Sequence, residues 1–299
     1  MSNKNLIVIV GPTAIGKTSL AIGLANKLAC EIISADSRQF YREIAIGTAK
    51  PSENELNAAP HHFIDNLSIH DEYSAGQFEI DALKCLETLF LKSNYAIVVG
   101  GSGMYINAIC KGIDLIPSSK EIRGALNLEY KTNGIKPLQD ELKLLDPEHF
   151  NNMDTQNPQR LIRALEVCRF SGKSYSSFRN NKDKKRSFNI IKIGLFNERE
   201  ILHERINLRV DQMIHDGLLN EIKENRNNSK LNALNTVGYK ELFNYLNKQT
   251  SLNDAIEEIK RNTRKFAKRQ MTWFKKDKEI NWFKEPKLEE VHGFIKENC

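Results

Sequence analysis

GPTAIGKT, residues 11–18, decides the fold. It satisfies G-x-x-x-x-G-K-[ST], in which successive backbone N–H groups cradle phosphate oxygens and the lysine reaches the outermost ones. Such a loop needs a strand before it and a helix after it. LIVIV (6–10) supplies the strand, an unbroken apolar run of the kind buried on both faces of a parallel sheet. From Lys17 to Ala29 the spacing of Leu20, Leu24 and Leu28 predicts a helix whose N-terminus meets the phosphates. EIIS (31–34) and YAIVVGG (95–101) read as further buried strands, and MYINAIC after Gly103 as a helix. The expected fold class is α/β, a P-loop core with a parallel sheet flanked by helices. Ligands of such a sheet collect at the carboxyl ends of its strands.

Beyond this core the pattern changes. From about Gly112 to Ser187 the apolar spacing is helical or irregular, through Leu138, Leu142 and Leu145 and then Leu161, Leu165 and Cys168. Strand character returns at NIIKIGLF (189–196). The chain therefore reads as a catalytic core of residues 1–112 and 189–299 carrying a mainly helical insertion, 113–188. The remainder is mostly helical. One helix ends near Gly217 and turns Ile201, Ile206, Val210, Ile214 and Leu218 inward. Another runs through AIEEIKRNTRKFAKRQMTWF, with Ile256, Ile259, Phe266 and Met271 inward and the basic residues outward. NNKDKKRS (180–187) has the composition of a disordered loop.

Bulk properties exclude several classes. A chain of 299 residues, 40% hydrophobic and 27% charged, is that of a soluble globular protein. No stretch approaches the roughly 20 apolar residues of a membrane span, and the run in MSNKNLIVIV is too short for a secretory signal. Cys30, Cys85, Cys110, Cys168 and Cys299 are scattered, which argues against a zinc site or disulfide framework and for a reducing cytoplasm. The net charge of +6 is concentrated. Between Arg160 and Lys192 only Glu166 and Asp183 oppose a basic run that includes Lys182, and between Lys260 and Lys278 only Asp277 does. One such block is usually a solvated face; two point to a polyanionic partner.

An ordinary nucleotide-cleaving loop is matched by an acid at the end of a core strand, where it holds Mg²⁺. Here YAIVVGGSG ends in glycines and serine. The acid in a comparable place is Asp36, directly after EIIS in SADSRQFY. Its carboxylate suits a magnesium partner, a general base aimed at a nucleophile before the phosphates, or a helix cap. Spacing alone leaves all three open.

GPTAIGKT, IISADSRQFYREIAIGTAKP, PHHFID, YSAGQF, VVGGSGMY, NPQRLIRALEV, RVDQMIHDGLLNE, VGYKE and KFAKRQMTWF follow one another in this order. The series resembles the bacterial tRNA dimethylallyltransferases, the isopentenyl transferases that modify the adenosine beside the anticodon. The resemblance covers about residues 6 to 283. It implies transfer of a dimethylallyl group from its diphosphate to N6 of the adenosine at position 37 of tRNA, with the anticodon stem-loop as partner; a monomer is the plain expectation, set by no feature of the sequence. Asp36 would be the general base. Gly11, Pro12, Thr13, Ala14, Ile15, Gly16, Lys17 and Thr18 would hold the diphosphate, with Mg²⁺ bound through Thr18 and Arg209 reaching the same group. The implied RNA contacts are Asp36, Ser37, Arg38 and Gln39; Gln159, Arg160, Leu161, Ile162 and Arg163; Ser102 and Arg123; and a third stretch at Gly238, Tyr239 and Lys240. The alternative is a small-molecule kinase that binds ATP on the same loop, with Asp36 serving metal or acceptor. Ser102 departs from the threonine usual in the family but keeps the hydroxyl. His61 and His62 read as imidazoles satisfying a local turn, and Trp273 and Phe274 as core or hinge aromatics.

Overall fold

The computed structural model describes residues 4–179 and 183–299. Its sheet has six strands among the described residues, β1 (Asn5–Val10), β2 (Ile32–Ser34), β3 (His61–His62), β4 (Tyr95–Gly100), β5 (Asn189–Phe196) and β6 (Ile280–Lys284). They lie in the order β3-β2-β4-β1-β5-β6, and every pairing is parallel. β1 is central, with Val8 between Val98 and Lys192. It is buried along its whole length, as its unbroken apolar run requires.

Helices α1 (Lys17–Leu28), α2 (Glu53–Ala58), α3 (Ala75–Lys92) and α4 (Gly103–Cys110) connect the first strands. One core joins Ile7, Ile9 and Ile193 of the sheet to Ala21 and Leu24 of α1. The chain divides into two compact units, one made of the described residues up to Lys111 with Lys185–Cys299, the other of those in Gly112–Lys184. The second unit contains α5 (Lys120–Asn133), α6 (Lys136–Leu145), α7 (Pro147–Asn152) and α8 (Pro158–Ser171) around Leu126, Leu138, Leu142, Leu161 and Leu165. No strand occurs among its described residues. Asn180, Asn181 and Lys182, the start of the loop expected from NNKDKKRS, lie outside the described residues.

The first unit continues with α9 (Arg199–His215), α10 (Leu218–Glu224), α11 (Tyr239–Leu246), α12 (Leu252–Phe274) and α13 (Leu288–Glu297). Val210, Leu218, Leu242 and Ile259 bring α9 to α12 together in a separate apolar cluster. No described helix is long and apolar enough to cross a membrane.

Two expectations of pattern need correction. β3 and β6 were not foreseen, and both are edge strands. An edge strand has one covered flank, so HH and INWFK lack the continuous apolar run of a central strand. The inward faces also differ. On α9 Ile201 is 37% exposed and Leu202 takes its place in the core. On α12 the buried line is Ala255, Ile259, Ala267, Gln270 and Phe274, while Phe266 is turned out.

Candidate active site

The phosphate loop follows β1 directly. Gly11 has φ +148°, and a Cβ there would come within 2.6 Å of the Leu195 carbonyl oxygen. Gly16, at φ 98°, precedes α1 in the left-handed region. It gives α1 no side-chain cap, so the first-turn N–H groups have no side-chain acceptor there. Ile15 is buried and pins the loop to the core. Lys17 Nζ donates to the Pro12 carbonyl at 2.7 Å. Burial, then the charge of Arg209, push its pKa down to about 7, against an upward pull from Asp36. Arg209, from α9, is itself lowered by burial. Its Nη1 donates to the Thr13 hydroxyl at 3.3 Å. Two desolvated cations therefore repel one another above the loop, an arrangement that calls for an anion.

Asp36 leaves the end of β2. Its Oδ1 accepts from the Arg38 amide at 3.0 Å, closing a turn; no helix starts there, so the helix-cap reading falls. Burial raises its pKa, opposed by the Arg38 amide and the Lys17 charge. The neighbouring β4–α4 turn supplies Ser102, whose Oγ accepts from the Ser37 amide at 3.1 Å. These groups line one cavity of about 710 Å³, along with Thr13, Lys17, Thr18 and Arg209. Met104, Phe266 and Trp273 give that cavity an apolar, partly exposed wall. Trp273 is 44% exposed, so of the two aromatics only Phe274 is a core residue. Arg269 lies over the Phe266 ring at 5.8 Å.

The family model described as IPP transferase matches residues 39–277. The chain belongs to the IPP transferase family. A tRNA dimethylallyltransferase of Christiangramia forsetii is 56% identical over 284 residues, covering 95% of this chain and 94% of the relative. A tRNA dimethylallyltransferase 1 of Bacteroides fragilis is 48% identical, covering 99% of this chain and 98% of the relative. Among solved structures, the tRNA isopentenylpyrophosphate transferase of Bacillus halodurans superposes with a TM-score of 0.73 at 34% identity, over 98% of this chain and 96% of that one. A eukaryotic dimethylallyltransferase described as acting on tRNA gives a TM-score of 0.79 at 28% identity, over 96% and 75%.

Several residues singled out by resemblance to this family have side chains already engaged within the protein, Gln39 among them although it lines the cavity. Gln39 is spent on structure: its Nε2 donates to the carbonyls of Ala49 (3.1 Å) and Thr48 (3.3 Å), and its Oε1 accepts from Ser34 (3.0 Å). In the helical unit Gln159 and Arg160 are exposed on α8, but Leu161 and Ile162 are 0% and 2% exposed in its core. Their side chains are corrected from RNA contacts to packing residues. Arg123 and Arg163 both pair with buried Glu166, Arg123 Nε at 2.9 Å and Arg163 Nη1 at 3.1 Å. Tyr239, expected in a third RNA stretch, is fully buried and donates to Glu221. Glu221 in turn accepts from the amides of Ala45 (2.6 Å), Ile46 (2.8 Å) and Gly47 (3.0 Å). The tyrosine therefore braces the IGTAKP loop, and Gly238 and Lys240 line the cavity.

His62 contacts Glu31 at 2.7 Å, while His61 Nδ1 donates to the Ala59 carbonyl at 2.8 Å. The two form β3 and no cluster of three metal-type side chains occurs among the described residues. Gln270 was missed altogether. Its signal was a polar residue on the buried line of an amphipathic helix.

Proposed function

We propose that this protein transfers the dimethylallyl group of dimethylallyl diphosphate to N6 of the adenosine at position 37 in tRNA. The observation that carries this is the desolvated pair Lys17 and Arg209 set above the loop, with Asp36 and an apolar wall on the same cavity. The family and the names of its relatives support the acceptor and the donor. The loop amides at the start of α1, with Lys17 and Arg209, hold the diphosphate and stabilise the charge it gathers as the C1–O bond breaks. The Thr13 amide is excluded from that set, because it donates to Gln270 at 2.9 Å. The apolar wall of Met104, Phe266 and Trp273 shelters the five-carbon chain from water. As the N6–C1 bond forms, Asp36 takes the N6 proton. Its raised pKa makes it a stronger base than an ordinary carboxylate. The Thr18 hydroxyl beside the phosphate loop is an oxygen donor that suits Mg²⁺, an ion that takes few protein ligands and completes its shell with water and phosphate. Bound there, it would neutralise charge on the departing diphosphate.

RNA binding falls to fewer cations than the composition suggests. Arg169 is held by Glu129 (2.8 Å) and Glu141 (2.6 Å), Arg186 by Glu79 (3.0 Å), and Lys192 by Asp277 (2.7 Å) and Glu279 (2.6 Å). On α12 Lys265 and Lys268 point away from the buried line and are exposed, with no acid partner among the described residues. With Lys275, Lys276 and Arg160 they are the cations we assign to the RNA backbone. The test supplies labelled dimethylallyl diphosphate, labelled ATP and unmodified tRNA together. Prenyl label in the RNA at adenosine 37, with ATP intact, is expected; ATP turnover without prenylated RNA would overturn the reading.

A further inference from the structure

Gln270 is 6% exposed on α12, on a line otherwise made of Ala255, Ile259, Ala267 and Phe274. A buried amide at such a position is costly unless both of its ends are hydrogen-bonded. Both are. Its Oε1 accepts from the Thr13 amide of the phosphate loop at 2.9 Å, and its Nε2 donates to the Gly101 carbonyl of the β4–α4 turn at 3.0 Å. The turn is moulded to it, since a Cβ on Gly101 would overlap Gln270 Nε2 and one on Gly100 would overlap the Ala35 carbonyl. From the turn the connection continues. Ser102 Oγ accepts from the Ser37 amide at 3.1 Å and contacts the Ser37 hydroxyl at 3.3 Å. Ser37 follows Asp36 directly. On the other side the Thr13 hydroxyl accepts from Arg209.

We propose that Gln270 is a positioning residue that sets the distance between the diphosphate and the base that receives the proton. This rests on the transfer reaction proposed above. One side chain ties the loop that grips the leaving group to the turn that supports Asp36, so the two halves of the site cannot drift apart. A misplacement on the order of 1 Å costs a transfer reaction about 10²-fold in rate while leaving each substrate's own contacts in place. Loss of Gln270 therefore lowers kcat rather than affinity.

The test uses the full chain, dimethylallyl diphosphate and an anticodon stem-loop RNA with adenosine at position 37. Gln270→Met keeps the shape and removes both hydrogen bonds; its kcat is expected to fall about 10²-fold, with KM for each substrate within about threefold of wild type. Gln270→Glu adds a readout that packing alone would not give. Ionised, the introduced carboxylate accepts from Thr13 but faces the Gly101 carbonyl with no proton to donate. Protonated, it accepts and donates as the amide does, and burial raises its pKa toward the assay range. The ratio of its kcat to that of wild type is expected to rise several-fold as pH falls from about 8 to about 6. Unchanged kcat in Gln270→Met, or a ratio independent of pH in Gln270→Glu, overturns the proposal. If Gln270→Met melts below the assay temperature, Gln270→Glu decides alone. Failure of the wild type to prenylate the RNA overturns the transfer reaction and the proposal together; transfer by wild type with unaffected variants overturns only the proposal.

Discussion

Lys17 and Asp36 perturb each other with opposite sign: the carboxylate pulls the lysine up while burial and Arg209 push it down to about 7. A diphosphate arriving beside Lys17 raises its pKa again, so above about pH 7 binding takes up a proton. With the ligand's own titration divided out, inorganic diphosphate should then bind with nearly constant affinity below about pH 7 and lose affinity as pH rises beyond it, an inflection to be measured by calorimetry between about pH 6 and 9. Lys17→Arg, permanently charged, should lack that inflection and retain only the titration of the ligand. Asp36 tests the chemical step. Asp36→Asn keeps an oxygen for the Arg38 amide but cannot take the N6 proton. Single-turnover transfer should slow by about 10²–10⁴-fold while tRNA affinity stays within a few-fold. An undiminished rate would remove the base.

At the scale of elements, α10 and α11 act on the site without lining most of it. Glu221 gathers the amides of Ala45, Ile46 and Gly47, at the entry to the IGTAKP loop, and the hydroxyl of Tyr239. Tyr239→Phe strips one charged hydrogen bond and should destabilise the fold by about 1.5–3 kcal/mol in denaturant unfolding. The same element logic applies to α12, whose cavity face carries Phe266, Gln270 and Trp273 and whose outer face carries Lys265 and Lys268. Replacing both lysines by alanine should lower tRNA affinity for all sequences alike and reduce the log–log salt slope by about 1 per lysine. An unchanged slope would place the RNA elsewhere. The phosphate loop was legible because its task fixes glycines at set intervals, and so was β1, buried on both sides. Gln270 and Glu221 were not, because a single polar residue inside a helical pattern announces no partner 169 or 176 positions away. Leu161 and Ile162 misled for a related reason. A motif copied as a contiguous run ignores that a helix sends its neighbours to different faces.

For the whole molecule, the strand order explains which parts of the sequence spoke clearly. β4, β1 and β5 are central and were visible as apolar runs, whereas β3 and β6 close the edges and were silent. The basic blocks were visible as composition, but composition could not show that Arg169, Arg186 and Lys192 are already committed to acids of the same chain. The arrangement also sets an order of assembly. β1 pairs with β5, whose residues lie 184 positions later in the chain, as Asn5 opposite Asn189. The sheet therefore stays incomplete on the ribosome until most of the protein has been made. Gly112–Lys184 is one continuous segment whose core leucines are close in sequence, and local contacts form fast. It should fold first, as a nascent chain, while the first strand waits for its neighbour. A fragment of residues 112–184 is accordingly expected to show helical circular dichroism and a cooperative melt on its own.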